Sequence, residues 1–96
     1  MARIYKYSAP LQFGVLEIRV PRKSTILKDA VIQNGTICFY GWVDPDQTEM
    51  ATLQVGILPT GADIPEGAIF DTKYHFTTKM SERTGLVYHI FVREKI

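Results

Sequence analysis

The residues through which this chain could do chemistry are two histidines, a single cysteine and a few closely spaced carboxylates. His75 and His89 would face each other across a hairpin whose loop centres on Glu82, and paired imidazoles are where a transition-metal site would begin. A structural zinc site is tetrahedral and closed, so further ligands are needed. Asp71 on the same strand or Cys38 from elsewhere would have to supply one, and no HxH or HxxxH spacing supports either. The histidines are therefore read as satisfied or surface side chains, and neither a metal nor a cofactor is expected.

Nucleophilic catalysis has no better support. Cys38 stands between Ile37 and Phe39, a setting in which a thiol behaves as a small apolar side chain and not as a thiolate. No serine or threonine lies in a GxSxG elbow or next to a histidine. Asp44 with Asp46, and Asp63 with Glu66, fall in turn-rich segments where such residues cap and turn the chain. The phosphate loops GxxxxGK[ST] and GxGxxG are absent. A non-enzyme that works by binding is the expectation.

For binding, the informative side chains are Tyr5, Tyr40 and Trp42, with Arg3, Lys6 and Arg19 as basic neighbours. Amphipathic rings of this kind are enriched in interface cores, and with nearby cations they suit a nucleotide, another small anionic ligand or a protein. Tyr7 and Tyr74 are read as core instead.

The element that must position Tyr40 and Trp42 is a hairpin, residues 26–33 and 36–43, turning at Asn34-Gly35. Asn-Gly tolerates positive φ at both central positions of a type I′ turn, whose twist suits antiparallel strands. With Gln33 opposite Thr36, a regular ladder predicts one face carrying Ile32 with Ile37, Ala30 with Phe39, Lys28 with Gly41 and Ile26 with Val43. That face is assigned to the core. The opposite face pairs Val31 with Cys38, Asp29 with Tyr40 and Leu27 with Trp42, which makes Asp29, Tyr40 and Trp42 the first candidates for a partner site.

Five further strands are predicted by period-two alternation and by their Pro and Gly stops: residues 3–7, 15–20, 50–58, 69–78 and 86–93. Leu53, Val55 and Ile57 should point inward, as should Phe70, Tyr74 and Phe76. Residues 59–67 form the longest breaker-rich loop, read either as a plain crossover or as a functional segment. The whole is one all-β domain over 1–96, about seven antiparallel strands in a small sandwich or partly open barrel without substantial helix.

Size agrees with this, since a 96-residue chain buries roughly two-thirds of its unfolded surface around one core. Apolar residues at 46% against 22% charged place it among ordered globular proteins. A single cysteine excludes an internal disulfide, and no apolar run has the length of a signal or a membrane span, so a cytosolic protein without membrane association is expected. The net charge of +1 argues against general nucleic-acid binding. It is unevenly spread, +5 over residues 1–28, −7 over 29–72 and +3 over 73–96. Either this is an ordinary solvated surface, or the terminal strands lie side by side as a basic face.

The IYKY run at 4–7, Val20-Pro21, Ile26-Leu27, Gln33-Asn34-Gly35, Cys38 and the WVDP run at 42–45 together resemble a family of small, uncharacterised phage and prophage proteins. The likeness covers the first half of the chain; in the second, the VYHIF run at 87–91 stands where that family ends in a similar strand. Ile32-Gln33 replaces the family's more usual Val-Gln, and its tryptophan falls a little earlier than Trp42. The resemblance implies no activity. It implies an accessory protein in the host cytoplasm that counters antiviral defence by sequestering a nucleotide signal or blocking a host protein; the two-sided apolar hairpin and the uneven charge add the expectation of a homo-oligomer joined through an aromatic face or an edge strand. The alternative is a virion structural or assembly component.

Overall fold

A computed structural model describes residues 1–95. Its strands are β1 (Arg3–Pro10), β2 (Gly14–Pro21), β3 (Thr25–Gln33), β4 (Thr36–Val43), β5 (Met50–Pro59), β6 (His75–Met80) and β7 (Val87–Glu94). They form two antiparallel sheets, one ordered β1-β4-β3 and the other β2-β5-β7-β6. Neither sheet closes on itself, so the sandwich alternative is the one realised. No helix among the described residues is long and apolar enough to cross a membrane.

The alternation read from sequence explains the core. Ile37, Phe39 and Val43 of β4 and Val55 and Ile57 of β5 are all at most 1% exposed, with Ile90 of β7 at 0%. These side chains fill the space between the sheets, as inward positions of a sandwich must. Tyr7 stacks on Phe39 at 5.9 Å between ring centroids, so its assignment to the core holds. Burial pushes its phenol up from the ordinary value.

The central hairpin forms around Asn34 and Gly35, whose φ angles of 51° and 73° are those of the expected turn. Its register departs from a regular ladder after Ala30. Ala30 pairs with Phe39 but Ile26 pairs with Gly41, so Leu27, Lys28 and Asp29 together oppose Tyr40. Asp29 therefore does not pair with Tyr40, nor Leu27 with Trp42, nor Ile26 with Val43. Two extra residues keep the parity of the strand, so Ile26 still faces the core. The cause of the bulge is visible in Asp29, whose φ of 113° bends β3 toward β6. There its carboxylate accepts from Lys79 Nζ at 2.6 Å, from Thr77 Oγ1 at 3.3 Å and from the Ala30 amide at 2.9 Å. This edge junction joins the two sheets.

The other corrections concern the second half and the ends. Residues 69–74 are not strand. Asp71 caps a single 3-10 turn, Thr72–Tyr74, by accepting from the Lys73 amide. Phe70 and Tyr74 pack with Leu58, Ile69 and Phe91 on the outer side of the four-stranded sheet, whereas Phe76 joins the core between the sheets. The segment from Thr60 to Tyr74 thus lies on the outside of that sheet as a partial third layer. Gly56 makes room for it, since a Cβ there would stand 2.8 Å from the Phe70 ring. β1 continues past Tyr7 to Pro10, because Pro10 at an edge needs no ladder donor. The terminal strands are in different sheets, so they do not form a joint basic face.

Two outcomes follow. The Lys79 ammonium beside Asp29 holds its carboxyl below the ordinary value. A depressed folded value means stability that is present above the unfolded carboxylate range and lost as pH falls through the folded value. Wild type should therefore lose unfolding free energy between about pH 4 and pH 2 more steeply than Asp29→Asn; parallel urea-midpoint curves would refute this role. Gly56→Ala should cost about 1–3 kcal/mol by displacing Phe70. Combining it with Phe70→Leu should cost clearly less than the sum, and strict additivity would show that the two do not collide.

Candidate functional site

Two surfaces assemble side chains with functional potential, one on the outside of each sheet. The first is on the three-stranded sheet. Alternation from the buried Phe39 and Val43 turns Tyr40 and Trp42 outward, and the β1–β4 register sets Lys6 across from Tyr40 and Ile4 across from Trp42. Trp42 is 54% exposed and Ile4 57%. A shallow recess of about 210 Å³ lies between Ala2, Arg3, Ile4 and Trp42. The pairs that β1 and β4 present on this side, Ile4–Trp42, Lys6–Tyr40, Ser8–Cys38 and Pro10–Thr36, contain a cation and no carboxylate.

Of the residues expected to bind, the fold thus gathers Lys6, Tyr40 and Trp42, with Arg3, which pairs with Val43, only bordering the recess at the start of β1. Tyr5 pairs with Gly41 on the other side of β1. Asp29 is engaged by Lys79 and Thr77 in the bulge. Arg19 pairs with Thr52 on the other sheet. Around it the outer face is a polar ladder: Lys95 Nζ lies 2.8 Å from Glu17, and Gln54 accepts from Arg93 Nε at 2.7 Å. The Lys95 contact holds the Glu17 carboxyl below its ordinary value. Ile4 was missing from the expected set because it joins Trp42 only through the β1–β4 pairing, which no local pattern announces.

The second surface is on the four-stranded sheet. His75 and His89 come together with His75 Nε2 3.4 Å from His89 Nδ1, but not as the direct partners a loop centred on Glu82 would make them: Thr78 pairs with His89 and His75 with Phe91, with an irregularity between His75 and Thr77. Thr78 Oγ1 lies 3.1 Å from the former and 3.2 Å from the latter. Thr60, at the start of the overlying loop, places Oγ1 2.8 Å from His89 Nε2. An apolar recess of about 260 Å³, with Ile64 and Phe91 in its walls, adjoins His89. Among the described residues no three histidine, cysteine or carboxylate side chains converge on one point. Asp71 caps its turn, and Cys38 is buried in the other sheet with Sγ 3.6 Å from Ser8 Oγ. Thr60 and Thr78 carried no sequence signal as partners of the histidines, since hydroxyls at those separations mark nothing until the strands are in register.

A third feature, a polar cleft of about 660 Å³, separates the Asn34-Gly35 turn from the Ser81-Glu82-Arg83 loop. It is the largest hollow of the three, and it holds neither an aromatic platform nor a convergent set of titratable groups.

No curated protein and no solved structure matches this chain. One family model does, over residues 1–96, the whole chain. The two-sheet fold, its aromatic-basic face and its paired histidines are therefore features of a chain that belongs to the family described as a domain of unknown function, DUF7352.

Proposed function

We propose that this domain acts by binding, without turnover, and that the outside of its three-stranded sheet docks onto a partner protein. The observation that carries the reading is the Ile4–Trp42 pair, two large apolar side chains opposite each other and more than half exposed. Among the described residues neither side chain is covered, and together with Tyr40 and Lys6, and Arg3 at the rim, the pair has the composition of interface hot spots. An enclosed nucleotide is the weaker fit, because small-ligand pockets run to about 300–1,000 Å³ and are concave. The recess at Trp42 is about 210 Å³ and shallow. A two-fold dimer through this face would set Arg3 and Lys6 against the same residues of the second copy, so an acidic-rimmed partner complements it better. In the setting suggested by the resemblance to phage proteins, that partner is a host protein which the domain blocks.

Native mass spectrometry of the purified chain, alone and after incubation with lysate, tests this. Wild type should gain a stoichiometric protein adduct; Trp42→Ala should weaken it by tenfold or more, on the order of 1.4 kcal/mol or above. The same variant should lose less than about 1 kcal/mol of unfolding free energy, against about 3–5 for Phe39→Ala. An adduct indifferent to Trp42→Ala, a nucleotide retained in its place, or a monomer that captures nothing would overturn the reading. So would a Trp42→Ala variant as unstable as Phe39→Ala, since that face would then be core.

A further inference from the structure

We propose that His75, His89 and Thr78 form an open binding site for a divalent transition metal of the zinc and copper class. The inference is independent of the protein-docking face, which lies on the other sheet. His75 Nε2 and His89 Nδ1 are 3.4 Å apart, long for an N–H···N hydrogen bond. It is, however, the edge of a coordination tetrahedron: with metal–nitrogen bonds of about 2.0–2.1 Å, two ligand atoms stand about 3.3–3.4 Å apart. Thr78 Oγ1, at 3.1 and 3.2 Å from these nitrogens, completes one triangular face. The remaining position opens toward solvent on the side of His75, which is exposed, whereas His89 is half-buried beside the overlying loop.

The surroundings orient these donors. Thr60 Oγ1 lies 2.8 Å from His89 Nε2, so an Nε2–H donating to it leaves the Nδ1 lone pair directed at His75, as the second shell of a metal-bound histidine does. His75 meets the Phe91 ring edge-on at 5.3 Å between centroids, which restrains its rotation. Thr78 and His89 are direct cross-strand partners, so the β6–β7 ladder holds the donors together before any ion arrives. Two imidazole nitrogens select a borderline ion over magnesium or calcium, which take oxygen ligands, and copper over zinc by the general affinity order. A hydroxyl as third ligand explains why this chelate has no histidine, cysteine or carboxylate triad.

The test is a zinc titration of the untagged full chain against a chromogenic chelator, paired with electron paramagnetic resonance of the copper form. Wild type should bind one equivalent saturably, and the copper spectrum should show coupling to two imidazole nitrogens. His75→Ala and His89→Ala should each lower affinity at least tenfold, and Thr60→Val about tenfold by releasing the His89 tautomer. Zinc binding by wild type no tighter than by the double variant His75→Ala/His89→Ala would overturn the site, as would a copper spectrum unchanged in that variant. Thr60 and His75 are exposed and His89 is half-buried, and far-ultraviolet circular dichroism confirms that each variant is folded before titration.

Discussion

The requirement that the inner sides of β4 and β5 exclude water from one another governs this molecule. Ile37, Phe39 and Val43 on one strand, and Leu53, Val55 and Ile57 on the other, are buried in the layer between the sheets. Each is the central or near-central strand of its sheet, so the other five strands are placed by pairing with them or with β7. Removing apolar area of this kind from water is the main favourable term available to a small domain. It also dictates the rest of the geometry. Once alternate residues of β4 are committed inward, Tyr40 and Trp42 have only the outside left to them.

Two devices supplement that central layer at the margins. The bulge at Asp29 brings the edge of the three-stranded sheet against β6 and gives a backbone in a costly conformation three hydrogen-bonding partners for its carboxylate. On the far side of the four-stranded sheet, Ile69, Phe70 and Tyr74 cover Leu58 and Phe91, so that β5 is buried on both sides toward its end. The same covering segment delivers Thr60 to His89. Packing that stabilises the second sheet therefore also organises the only cluster of imidazoles in the chain.

The two outer faces differ in how they treat their polar groups. On the four-stranded sheet, carboxylate, amide and guanidinium side chains satisfy each other along Glu17, Gln54 and Arg93, leaving little for a partner to gain. On the three-stranded sheet, the cross-strand pairs place an indole beside an isoleucine and a phenol beside an ammonium group, and among the described residues the side chains of Lys6, Tyr40 and Trp42 make no hydrogen bond or ion pair. Surface of the second kind loses water most readily on association, which is why the docking reading rests there.

Much of the fold was legible from residue order. Alternation in β2, β4, β5 and β7 follows from the period of two, and the Asn34-Gly35 turn from the backbone freedom of those residues, so strand number, the inward residues of those four strands and the turn of the first hairpin needed no tertiary knowledge. Residues 69–74 misled because apolar spacing cannot distinguish a strand from a segment lying across one, and only the bare surface above Gly56 shows which it is. The register beyond Ala30 was equally hidden: the carboxylate at the bulge meets Lys79, fifty residues away in sequence. The candidate sites divide the same way. Sequence by itself determined that Trp42 and Tyr40 share a side, because residues two apart on one strand do; the two imidazoles meet for a reason it did not contain, since β6 pairs Thr78 with His89 and His75 with Phe91, and an irregularity between His75 and Thr77 brings the rings together. Tertiary structure alone decided that Ile4 and Lys6 join the aromatic pair while Arg19 does not, and that Thr60 reaches His89. Those neighbours depend on which distant strands share a sheet, and that is settled by burial of the whole core.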